Sequence, residues 1–111
     1  MDTIKWEHRY LVDVPAGSQD IHLPILEASY AAMEHLGITP AFSLSGSTNA
    51  NIPIGLGLPA VCIGRGGNEG GVHTTHEWFE IAGAYRCPQE ALLIALALSG
   101  VEGKMTSVLE A

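Results

Sequence analysis

Basic side chains are scarce: Lys5, Arg9, Arg65, Arg86 and Lys104 are all that 111 residues carry, against 12 acidic ones, and the formal charge is −7. Spread singly along the chain, they form no patch that could neutralise phosphates, so no nucleic-acid partner is expected. Cysteine is almost missing as well. Cys62 and Cys87 have no C-x-x-C spacing and lie in apolar or helix-start surroundings, which excludes a disulfide scaffold and reads as two small buried apolar residues. Long apolar runs are absent: the longest, Ala91 to Leu98, has eight residues, against the ~20 needed to cross a bilayer. No membrane span is expected. Met1 is followed by Asp2, Lys5, Glu7, His8 and Arg9 rather than by an apolar signal core, and a reduced, cytoplasmic compartment is the expectation.

The chain does carry apolar residues, 47% of them, and 13 glycines. This is enough for one core, so a single structural unit over residues 1–111 is expected rather than disorder. From Thr3 to Val14, the residues Ile4, Trp6, His8, Tyr10, Val12 and Val14 fall at every second position, which predicts a strand with one buried face. From Pro24, Leu26, Tyr30, Met33 and Leu36 recur at helical spacing with Glu27 and Glu34 opposite, predicting an amphipathic helix that stops at Gly37. Ala41 to Leu44 and Pro59 to Ile63 read as short neighbouring strands, the second apolar on both faces. Ser47-Thr48-Asn49 would cap a short helix over Ala50 to Leu56 between them. Such a β-α-β unit implies parallel strands. Pro88 to Ser99 is apolar all round and predicts a helix covered on more than one side, ended by Gly100. The fold class expected is therefore α/β, a short, mostly parallel sheet covered by helices.

Gly64 to Gly71 holds five glycines, too many for a helix or strand, and leads into Val72-His73-Thr74-Thr75-His76-Glu77-Trp78-Phe79. As a loop after a strand it invites comparison with phosphate cradles. Glu69 stands where a G-x-G-x-x-G fingerprint needs its third glycine, and no Gly-Lys-Ser/Thr ending exists. A carboxylate inside such a cradle also opposes anion binding. His73 and His76, three apart with Glu77 next, are a weak metal signal alone, since the spacing is not H-E-x-x-H. His8, His22 and His35 read as structural.

Several of these runs occur together: Ser47 to Val61, Ile63-Gly64-Arg65-Gly66-Gly67, Gly70-Gly71-Val72-His73-Thr74 to Glu77-Trp78-Phe79, then Gly83 to Arg86 and Pro88 to Leu98. In this order and spacing, from about Val14 onward, the chain resembles the C-terminal end of the catalytic domain of the zinc-dependent peptidase family. That family contains peptidase T, the aminoacylases, the succinyl-diaminopimelate desuccinylases and bacterial glutamate carboxypeptidase. The resemblance implies that His73 is a ligand of one of two zinc ions, accompanied by Glu77. It implies that Ser47, Thr48 and Asn49 lie against the substrate, with Asn49 where an aspartate is common, and that Gly66 and Gly67 let the backbone pass close to it. A capped helix start there would suit a substrate carboxylate.

The resemblance also marks what this chain does not carry. The remaining zinc ligands and the general-base glutamate belong, in the family, to a longer N-terminal portion, and residues 1–16 resemble the strand that leaves a lid or dimerisation domain. The expectation is the last section of a metallopeptidase or amidohydrolase acting on peptide or N-acyl amino acid bonds, inactive alone and binding zinc at most weakly. Its expected partner is that N-terminal portion or a second copy. Two other readings stand beside it. One is a non-catalytic interaction or structural module that retains the fold. The other is an enzyme in its own right that gathers His73, His76, Glu77 and Glu69 from several copies.

Overall fold

The computed structural model describes residues 3–41, 43 and 46–110. Among them three helices and one hairpin are formed: α1 (Pro24–His35), α2 (Asn51–Gly55), β1 (Asn68–Gly70), β2 (Trp78–Glu80) and α3 (Arg86–Ser99). Pro24 opens α1 where a missing N–H is harmless. Gly37, at φ 69°, closes it in a Schellman turn: the Gly37 N–H donates to the Glu34 carbonyl and the Ile38 N–H to that of Met33. The α3 helix begins two residues before Pro88 and ends at Gly100.

α1 and α3 pack on each other. Leu26, Ser29 and Ala32 of α1 are buried, as are Glu90 and Ile94 of α3. Ser29 is tolerated there because its hydroxyl donates to the Ile25 carbonyl at 2.7 Å. The C-terminal tail folds back on α3: Val108 N–H donates to the Ala97 carbonyl and the Ser107 hydroxyl to that of Leu98. These contacts give a small core. Leu92 and Leu96 of α3 remain exposed, because α1 and the C-terminal tail cover only part of a helix that is apolar all round.

Among the described residues, the expected parallel sheet is not formed. The one sheet among the described residues is the antiparallel pair β1–β2, with Asn68 opposite Glu80, Glu69 opposite Phe79 and Gly70 opposite Trp78. Pro59 to Ile63 belongs to no strand, and of its expected neighbour, Phe42 and Leu44 lie outside the described residues. Thr3 to Val14 likewise forms no strand. Its apolar face, His8 included, is exposed, because the alternation of a strand becomes a sheet only when a second backbone edge lies beside it. The glycine segment, expected as a loop, supplies β1. Gly70 meets the indole of Trp78 so closely that a β-carbon would sit 2.7 Å from it, so glycine is what lets this strand pair. Neither cysteine is buried: Cys62 is exposed and Cys87 half-exposed. Among the described residues, no helix is long and apolar enough to cross a membrane.

Candidate functional site

The β1–β2 connection presents His73. Thr74 fixes this turn: its N–H and hydroxyl both donate to the Gly71 carbonyl, at 3.0 and 2.6 Å, and its Oγ1 accepts the His76 N–H at 3.2 Å. The Glu77 N–H closes the turn on the Thr74 carbonyl. Held in this way, His73 takes φ 65°, the one non-glycine residue among those described with a left-handed backbone. Its ring is exposed, as are His76 and Glu77. Among the described residues, no three His, Cys, Asp or Glu side chains come together to hold a metal ion. Glu69 is engaged elsewhere, in an exposed ion pair with Arg65, whose guanidinium stands 6.0 Å from the centre of the Phe79 ring.

Gly66 and Gly67 sit at φ 66° and 69° before β1, and both face this chain's own backbone. A β-carbon on Gly66 would meet the Ala84 carbonyl at 2.9 Å, and one on Gly67 would strike the Glu80 carbonyl and approach Phe79 at 3.1 Å. What their missing side chains make room for is thus the base of the hairpin that carries His73.

Ser47, Thr48 and Asn49 precede α2. The expected cap is arranged differently: the N-cap is Ala50, with no side-chain hydrogen bond to it as cap. The Thr48 N–H donates to Asn51 Oδ1 at 2.9 Å, and Thr48 Oγ1 accepts the Ala50 N–H at 3.2 Å. Helix α2 has five residues, too few to build a dipole of consequence for a substrate carboxylate. Thr48 lines a groove of about 360 Å³ between α1, α3 and the segment 60–64. Gly66, Gly67 and His73 do not line it, so the two candidate sets occupy different parts of the surface.

One residue of this groove was not singled out from the sequence. Glu90 is 4% exposed, its Oε1 has no hydrogen-bond partner among the described residues, and burial raises its carboxyl above the ordinary 4.5. Its signal lay in helical projection: position 90 falls four residues before Ile94, on the stripe that α3 turns toward α1. Comparison of the chain with protein-family models, with curated proteins and with solved structures returned no match.

Proposed function

We propose that this chain is a C-terminal section of a zinc-dependent amidohydrolase or metallopeptidase, inactive alone, and that His73 is its contribution to the metal centre. The observation that supports this is the backbone of His73. A left-handed conformation costs a residue with a β-carbon about 1 kcal/mol and persists where the surroundings impose it, commonly at sites of chemistry. Here the Thr74 turn imposes it on an exposed imidazole. Zinc takes four ligands, and the residues of this chain fit one position of a shared site, with Glu77 four residues on. Bound zinc supplies Lewis acidity toward a scissile carbonyl. What this chain provides is the imidazole, the turn that orients it and the glycine-packed hairpin base beneath. A general base and the other ligands belong to the portion that completes the site.

Two measurements test this. Zinc titrated into metal-free protein is expected to shift the ring resonances of His73, weakly and without other imidazoles following in parallel, and His73→Ala removes the response. The isolated chain supplied with zinc or cobalt is expected to leave dipeptides and N-acetyl amino acids intact, because one histidine cannot hold a metal, polarise a carbonyl and move a proton at once. Turnover that copurifies with the chain and vanishes in His73→Ala would replace this reading with that of a self-sufficient enzyme.

A further inference from the structure

Two parts of the molecule are incomplete in complementary ways. The arm Thr3–Val14 is exposed throughout, Trp6 to 91%, and bends at Leu11. Ile4, Trp6, His8, Tyr10 and Val12 alternate along one face of it, and the His8 and Tyr10 rings stack with centroids 4.8 Å apart. Alternation of this kind belongs to a strand that is half-buried. The other part is the groove lined by Thr48, α1, Glu90 and the segment 60–64. Beyond Ala60, whose N–H and carbonyl are both held by the Gln19 amide, the N–H groups of Val61, Cys62 and Ile63 donate to nothing among the described residues. Among the described residues nothing pairs with this edge, and Glu90 Oε1, which lines the same groove, has no partner among them.

The base of the arm is fastened to the rest of the chain. Pro15 packs against Gly55, Asn51 Nδ2 donates to the Pro15 carbonyl at 3.4 Å, and Gln19 is fastened to Ala60. Residues 15–19 are held in this way, and the proline after Val14 disfavours a helical turn there. The molecule spans 76 Å.

We propose that the groove receives the arm of a second copy of this chain, added as a strand along Val61–Gly64 with its apolar face inward and His8 against Glu90. The exchange is reciprocal and closes with two-fold symmetry. Side-chain chemistry chooses the occupant: His8 is the one basic residue on the apolar face of the arm, and Glu90 is the buried carboxyl that lacks a donor among the described residues. Lys5 and Arg9, on the opposite face, stay in solvent. Area permits it too. The chain exposes 9137 Å², roughly 3,000 Å² more than a compact monomer of its mass, where a stable dimer needs about 800 Å² from each partner.

Sedimentation of the full chain at roughly 100 μM, where an interface of this size is populated, is expected to give a dimer. His8→Leu and Glu90→Leu each weaken it about tenfold, since each leaves the other polar group buried alone, and the double variant restores it. Far-UV circular dichroism checks that the variants keep their helices. A trapping experiment does not depend on stability: Tyr10→Cys in a Cys87→Ser background, oxidised with copper phenanthroline, forms a covalent dimer between the introduced thiol and Cys62, which is exposed on the groove segment. A monomer at that concentration, a dimer indifferent to His8 and Glu90, or no covalent dimer overturns the proposal. The experiment contains neither zinc nor substrate, so its failure and that of the amidohydrolase reading are separable.

Discussion

His73 and Glu90 each hold free energy that the rest of the chain must offset, and each makes a prediction. Replacing His73 by glycine removes the β-carbon from a left-handed backbone. His73→Gly is therefore expected to leave stability unchanged or raise it by up to about 1 kcal/mol in urea denaturation, while abolishing the zinc response. Gly67→Ala works in the opposite sense, because a β-carbon there is both left-handed and driven into the Glu80 carbonyl; a loss of about 2 kcal/mol or more is expected. For Glu90 the sign follows from its raised pKa. The folded state keeps the proton to higher pH than the unfolded chain does. Its contribution is therefore most favourable below the ordinary value of 4.5 and is lost as pH rises from there through the raised value. Glu90→Gln is expected to flatten this fall, so that the variant gains on the parent chain in monomer stability as pH rises toward neutrality. Equal pH profiles for the two proteins would remove the desolvated carboxylate from the account.

At the scale of elements, α3 divides into a face that holds the fold and a face that does not. Ile94 is buried against α1, so Ile94→Ala is expected to cost about 2–4 kcal/mol, enough to unfold a small core. Leu92, 58% exposed on the same helix, is expected to change stability by less than about 0.5 kcal/mol when replaced by alanine. Thermal melts of the two variants test the division. Both long helices were legible in the sequence to within two residues, because what starts and stops them is local: Pro24, Gly37 and Gly100 act on their own turns. The strands were not. Alternation from Ile4 to Val14 and the apolar run Ala60 to Ile63 announce strand-like backbone, but whether an edge arrives to pair with it is not written in either segment. The hairpin that did form hid inside a glycine run whose glycines pack against Trp78 and the Glu80 carbonyl, contacts only the fold reveals. Of the candidate residues, His73 is proposed from its motif, while its left-handed backbone is visible only in the fold. Glu90 was not legible, since a lone acid in a helix looks solvated until its face is known.

The molecule as a whole is spread thin. Its radius of gyration is 18.8 Å, where a compact chain of this length has about 13 Å. The buried apolar residues among those described are Leu26, Ala32 and Ile94, while Ile4, Trp6, Leu56, Ile81 and Leu109 are each more than half exposed. Surface scaling turns this into a measurable quantity. An unfolded chain of this mass exposes roughly 17,000 Å² and a compact fold roughly 5,900 Å². With 9137 Å² still exposed, the chain buries about 30% less on folding than a compact protein of equal length. The urea m-value and the heat capacity of unfolding both scale with that buried area. Measured on the Glu90→Leu variant below its association range, both are expected to fall about 30% short of the values usual for this length, and a hydrophobic dye is expected to bind. Raising the concentration of the unaltered chain should move both quantities toward the compact values, as paired copies cover what one copy leaves open. A full-sized m-value at low concentration, with no dye bound, would mean that the solitary chain closes its own surface and has no need of a partner.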